Sequence, residues 1–175
     1  MMKKDNRRGR SRTPEEPKEF DQRILELARV TRVTKGGKRM RFRACVIIGD
    51  HKGRVGFGLA KGADVTASVN KAATQAKKRL LTVPLVHETI PYAVHQKFAA
   101  ASIILKPAPQ GTGIKAGGAV RVVLELAGVP NAVGKILGSN NKINNTKATM
   151  AALRQLRAPA KTEVVRKEAA PTAAA

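Results

Sequence analysis

"TKGGKRMRFRACVIIGDHKGRVGFG", residues 34–58, changes texture three times in one run. It begins with positive charge packed around Gly36 and Gly37. From Met40 to Ile48 it alternates and then becomes wholly apolar, as a half-buried strand entering a core does. "GDHKG", Gly49 to Gly53, signals a turn. Arg54 to Ala60 reads as the next strand: Val55, Phe57 and Leu59 share one face, while Gly56 and Gly58 leave the other bare. The stretch is therefore two linked hairpin arms with a basic crown, an apolar stem and a glycine face.

The neighbours extend this pattern. Ile24 to Val33 fits a strand, although "RILELARV" also fits the opening of a helix. Lys35-Gly36-Gly37-Lys38 supplies the turn between it and the next strand. Asp64 suits the N-cap of a helix reaching about Leu81, with Val65, Val69, Ala72, Ala76 and Leu80 as its apolar stripe. Lys71 and Lys78, seven apart, share another face, with Lys77 and Arg79 beside them. The first unit thus reads as a three-stranded antiparallel meander closed by one helix.

Thr82-Val83-Pro84 marks a boundary. Beyond it, short strands are expected at Val83–His87, over the even positions Ile90 to Phe98, and at Ser102–Lys106. Val120, Val123, Leu124 and Ala127 have helical spacing, stopped by Gly128 and Pro130. A strand at Ala132–Leu137 and a helix from Asn144 to about Leu156 complete a β-β-β-α-β-α order. The expected organisation is α+β: a disordered basic arm (1–18), a first domain (19–82), a second (83–158) and a flexible tail (159–175).

Charge points to the partner. The 34 Lys and Arg against 12 Asp and Glu give a formal net charge of +22. Such an excess repels itself unless a polyanion offsets it. Nucleic acid is the leading candidate, through phosphate neutralisation and counterion release. An anionic membrane would call for a basic amphipathic helix with bulky apolar residues, and none is evident. No apolar run approaches the ~20 residues of a membrane span, and the charged N-terminus lacks a signal-peptide core. The expected compartment is cytoplasmic.

The crown is the densest feature. Arg29, Arg32, Lys35, Lys38, Arg39, Arg41 and Arg43 stand together with no acid between them. Arg39, Arg41 and Arg43 alternate with Met40 and Phe42, so one strand face is basic while the other is expected to enter the core. Aromatic residues are 3% of the chain, and Phe57 and Phe98 are assigned to apolar faces. That favours gripping the RNA backbone over stacking on bases.

Other chemistry finds little support. Gly111-Thr112-Gly113-Ile114-Lys115-Ala116 matches GxGxxA, but no acid follows about 20 residues later. In "GVPNAVGKI", Gly128 to Ile136, the glycines are one residue too far apart for a phosphate-binding loop, and Ile136 replaces the Ser or Thr that would hold magnesium. His51, His87 and His95 are scattered, and Cys45 stands alone in an apolar run. No metal, cofactor, small-molecule substrate or enzymatic activity is expected.

The order Gly37-Lys38, Phe42, Ala44, Val46-Ile47-Ile48, Gly49-Asp50, Gly53, Val55-Gly56-Phe57-Gly58 and Lys61 resembles the bacterial-type ribosomal protein S-five family of the small subunit. "PAPQGTGIKAGGAVRVVLELAG" and "GSNNKINNTKATMAAL" extend the resemblance over about residues 20–157. It implies a first domain like the double-stranded-RNA-binding domain, and a second, β3-α-β-α domain with a left-handed crossover. It implies binding to small-subunit ribosomal RNA at the head–body junction by the Thr31–Lys38 hairpin. It also implies an interface with ribosomal protein S-four over Gly111, Thr112, Gly113 and Arg121. Ribosomal protein S-eight is implied near the second domain, incoming messenger RNA nearby, and a part in decoding accuracy.

With the crown, Gly36, Gly37, Lys52, Arg54, Lys61, Lys71 and Lys78 form the expected RNA-binding set. A free-standing double-stranded-RNA-binding regulator is the alternative, and an ATP-using enzyme sharing the second domain's fold a further one. Two positions depart from the family: Glu88 stands where a turn usually has glycine, and Lys142 where proline often opens the last helix.

Overall fold

The computed structural model describes residues 19–157, so the expected arm (1–18) and tail (159–175) lie outside the described residues. The first sheet holds β1 (Asp21–Thr34), β2 (Gly37–Gly49), β3 (Arg54–Gly62) and β4 (Leu80–Thr82), in that order and antiparallel throughout. Helix α1 (Val65–Lys77) lies between β3 and β4 in the chain. The second sheet runs β5 (Val94–Phe98), β6 (Ala101–Pro107), β8 (Ala132–Ile136) and β7 (Ile114–Lys115) in spatial order. Its β7–β8 pair is parallel and is joined through α2 (Gly118–Ala127); α3 (Lys142–Gln155) follows β8.

The Ala44–Ile48 run is apolar because β2 is covered on both faces. Ala44, Val46 and Ile48 pack with Ala60, Ala72 and Ala76 under α1. Ile47 and, on β3, Val55 point the other way. They join Ile103, Leu105, Val120, Leu124 and Leu153 in one core shared by both sheets. The glycine face is now explained. A Cβ on Gly56 would stand 2.5 Å from the Ala76 carbonyl oxygen, and one on Gly58 would stand 2.8 Å from the Ala72 carbonyl carbon. The bare face therefore seats a helix, whose own buried row is Ser68, Ala72 and Ala76.

The two sheets are also tied by backbone. The β2–β3 turn caps the C-terminus of α2: His51 N–H donates to Leu126 O (3.1 Å) and Gly53 N–H to Ala127 O (2.9 Å). The His51 ring Nδ1–H donates to Glu125 O at 2.8 Å. These bonds occupy carbonyls that a helix end otherwise leaves without partners. The approach is close enough that a Cβ on Gly49 or Gly128 would collide with the opposing backbone.

Several expectations need correction. The first sheet has four strands, not three. Leu80–Thr82 pairs with Arg54–Gly56, so α1 ends at Lys77 and not near Leu81. The Ile24–Val33 ambiguity resolves as strand, with a bulge between Ile24 and Glu26 that turns Leu25 toward the shared core. Val83–His87 is no strand. Val86 and Thr89 close a tight turn whose central residues, His87 (φ 49°) and Glu88 (φ 62°), are both left-handed. Ile90 is buried, but strand pairing begins only at Val94. The third strand of the second unit is Ile114–Lys115, inside the stretch read as a glycine loop. The last helix begins at Lys142, where the Asn141 side chain accepts from Ile143 N (3.0 Å) and Asn144 N (3.4 Å). That cap takes the place of an opening proline.

Candidate nucleic-acid interface

The last β2–β3 pair is Phe42 with Gly62, yet the β1–β2 ladder continues through Val30–Arg41, Thr31–Met40, Arg32–Arg39, Val33–Lys38 and Thr34–Gly37. Five further residue pairs at ~3.4 Å each carry this ribbon about 17 Å past the sheet. A two-residue loop, Lys35-Gly36, closes its tip; Gly37 has φ +137°, and Thr34 Oγ1 donates to Gly37 O at 3.1 Å. Every residue from Thr31 to Arg41 is exposed.

Cross-strand partners share a face. Arg32, Arg39, Arg41 and Arg43 therefore form a row on the face that carries Ile47 farther in, and Lys61 pairs with Arg43 on that same face. The opposite face carries Arg29, Lys38, Thr31, Val33, Met40 and Phe42. It does not enter the core as expected: Val33 is 73% and Met40 52% exposed, because β3 stops at Gly62 and nothing lies beneath. Phe42 alone is half-buried.

Among the described residues, Arg29, Arg32, Lys35, Lys38, Arg39 and Arg41 have no acidic partner. Arg43 sits deeper and meets Glu26 at 3.4 Å. Burial pushes the neighbouring Cys45 thiol up to about 12; Glu26 adds to the rise, while Arg43 and Lys147 oppose it. A thiol so held is inert at neutral pH.

The remaining expected RNA-binding residues are dispersed. Lys71 on α1 and Lys78, which caps its C-terminus, are both exposed. Lys52 and Arg54 stand at the other end of β2, ~12 residues or about 40 Å from the fingertip. Arg54 is committed to its own turn. Its Nε donates to Asp50 Oδ2 (2.6 Å), and its guanidinium lies 5.2 Å from the centroid of the Phe20 ring. Burial alone would raise the Asp50 carboxyl. Hydrogen bonds from Arg54 and from the N–H groups of Lys52 and Arg54 outweigh it and bring the carboxyl down to about 2.

The residues of the implied protein interface lie on the second sheet's side. Gly111 (φ +83°) and Gly113 (φ +71°) flank Thr112 in an open loop, held by Gly113 N–H to Asn131 Oδ1 (3.1 Å) and Thr112 N–H to Pro109 O (3.3 Å). Arg121 Nε donates to Glu125 Oε1 (2.8 Å), and Arg23 reaches the other oxygen of that carboxylate (2.6 Å). Hydrogen bonding from Arg121 leads in holding the Glu125 carboxyl below its usual range, against burial and with help from Arg23. Ile114, next to the loop, lines a shallow depression with Arg23, His51 and Glu125. The loop and the Arg121 pair are thus neighbours, and both are distant from the finger in the chain.

A basic groove was not anticipated. Phe57, Phe98 and Met150 line it, with Arg79, Lys147 and Arg154. Phe98 is 38% exposed, not committed to an apolar face as expected: the β5–β6 hairpin ends at Phe98–Ala101, and the ring lines the groove with Lys147 over it. Lys147, Met150, Ala151 and Arg154 have i, i+3, i+4, i+7 spacing on α3, and that period was the readable signal. Among the described residues no group of three or more His, Cys, Asp or Glu could hold a metal, and no helix is long and apolar enough to cross a membrane.

Residues 20–84 match the family description "Ribosomal protein S5, N-terminal domain", and residues 96–168 match "Ribosomal protein S5, C-terminal domain". The chain is also 50% identical over 139 residues to "Small ribosomal subunit protein uS5c" of Spinacia oleracea. That alignment takes in 79% of this chain but only 45% of the relative, so the chain spans about half the length of the protein it matches. With both halves of the fold matched in order, the chain belongs to the ribosomal protein S5 family.

Proposed function

We propose that this chain is a non-enzymatic structural protein of the small ribosomal subunit that grips ribosomal RNA with its β1–β2 finger. One observation carries the reading: of six cations without acidic partners among the described residues, five (Arg32, Lys35, Lys38, Arg39 and Arg41) stand on a ribbon projecting past the sheet and the sixth, Arg29, at its base. The cost of holding them together is offset when phosphates neutralise them and counterions are released. The ribbon is rooted in the core through Ala44–Ile48, so its charges are held in place before binding. The finer reading assigns the first sheet with α1 to a double-stranded-RNA-binding-like fold, and gives the β7–α2–β8 connection a left hand. It puts ribosomal protein S-four against Gly111, Thr112, Gly113 and Arg121, with ribosomal protein S-eight and incoming messenger RNA as further neighbours. The head–body junction is the RNA site, decoding accuracy the process served, and the cytoplasm the compartment.

The test is the salt dependence of binding to small-subunit ribosomal RNA. Lys35→Ala and Lys38→Ala should each reduce the slope of log K against log salt by on the order of one. An unchanged slope refutes phosphate contact by the finger. Co-sedimentation with small subunits in high salt addresses residency, since a free-standing regulator washes off.

A further inference from the structure

The groove between α3 and the β3–β4 side of the first sheet has features that a backbone-gripping protein does not require. It has a volume of about 670 Å³, within the ~300–1,000 Å³ typical of ligand clefts. Its floor is Phe57, Phe98 and Met150; its charged groups are Arg79, Lys147 and Arg154, with no acid among the lining residues. The Lys147 ammonium stands 5.2 Å from the centroid of the Phe98 ring. Phe98 remains 38% exposed beside it. Aromatic rings beside cations with no acidic partner among the described residues, one of them over the Phe98 ring, are the composition of a stacking platform for nucleic-acid bases. A purely apolar partner would leave three cations desolvated without counter-charge.

The groove also lies on a particular face. Val55, Phe57, Leu59 and Lys61 alternate onto one side of β3, opposite Gly49, Ile47, Cys45 and Arg43 of β2. That is the side on which Arg41, Arg39 and Arg32 continue along the finger. From Arg39 to Ile47, the partner of Phe57, the strand covers about 27 Å. A strand of RNA held along the arginine row is thereby led past Lys61 to the groove.

We propose that this groove takes one unstacked nucleotide of single-stranded RNA, its base against Phe98 and Phe57 and its flanking phosphates on Arg79, Lys147 and Arg154. The proposal rests on the reading of the finger as an RNA-binding surface. The test uses the full chain with a fluorescently labelled octauridylate, in parallel with small-subunit ribosomal RNA. Phe98→Leu keeps apolar bulk but removes the ring, and should weaken octamer binding about 5- to 100-fold. Lys147→Gln, a partly exposed position where folding is not at stake, should weaken it several-fold. A 4-thiouridine octamer should crosslink to the peptide holding Met150 or to the one holding Phe98.

Octamer affinity unmoved by both variants, with no crosslink at those peptides, overturns the proposal. So does loss of a ribosomal-protein partner in Phe98→Leu with octamer affinity retained, which assigns the groove to a peptide. Lys35→Ala with Lys38→Ala separates the two readings. If that pair leaves ribosomal RNA binding unchanged while Phe98→Leu still weakens the octamer, the finger assignment fails and the groove stands.

Discussion

Gly58→Ala tests the packing that seats α1 on β2 and β3 at the root of the finger. The added Cβ would fall 2.8 Å from the Ala72 carbonyl carbon and 3.0 Å from the Ala76 nitrogen, and closer still to the Ala72 oxygen. All three are backbone atoms of α1, so no rotamer change relieves the clash. Clearing the Ala72 carbonyl carbon to an ordinary 3.4 Å alone takes about 0.6 Å, and the nearer Ala72 oxygen demands a retreat of the helix well beyond that. Gly56 and Gly62 hold the same helix against the same strand, so the retreat spreads along the row. Overpacking of this kind costs about 3 kcal/mol, while alanine's smaller unfolded-state entropy returns up to about 1 kcal/mol. The expected net loss is about 2–3 kcal/mol, read as a Tm lower by roughly 4–10 °C. Gly36→Ala is the control, because nothing lies within 4 Å of its Cβ; it should change stability by less than ~0.5 kcal/mol. Urea denaturation of both variants decides. A Gly58→Ala protein within about 1 kcal/mol of the parent would show that α1 is not seated on β3 as closely as described.

Two further outcomes follow from the turns. Asp50 has its native carboxyl depressed to about 2 from 3.8, so it adds stability above pH 4 that is lost as pH falls toward 2. The loss should be of order 1 kcal/mol once solvent screening of the half-exposed Arg54 is allowed for, and Asp50→Asn should flatten that part of a pH–Tm profile; a profile identical to the parent's refutes the lock. Glu88 occupies a left-handed conformation that glycine adopts freely, so Glu88→Gly should raise stability by up to about 1 kcal/mol in thermal melts, and a clear drop would mean the side chain offsets its own strain.

Strand alternation made much of this fold readable, and its limits lie where two elements compete for one pattern. The alternation through Met40–Ile48, the glycine turns and the helical stripes of α1 and α2 all signalled their elements. Leu80–Thr82 did not, because a short apolar run suits a helix end as well as a strand. Only pairing with Arg54–Gly56 decides. Ile114–Lys115 is too short for any period to show, and exists because β8 offers a parallel partner. In the finger, composition gave the charges but not the depth of the core. Met40 alternates like a buried residue and is exposed because β3 ends short of it. The groove needed tertiary structure, since Phe57 and Phe98 come from different sheets.

The same residues hold finger and groove in a fixed relation to each other. If the two sheets moved freely, the arginine row on β2 and the cations on α3 would have no fixed relation. They are instead joined by a core running from Ile47 and Val55 to Leu124 and Leu153. The β2–β3 turn donates its N–H groups to the end of α2, where Gly49 and Gly128 permit close backbone contact. A side chain at either glycine would push the sheets apart, and the angle between finger and groove would change with it. The glycines near the turn therefore set the relation between finger and groove without belonging to either. On the proposed reading, charge holds the polyanion and the close backbone contact fixes the directions from which it is held.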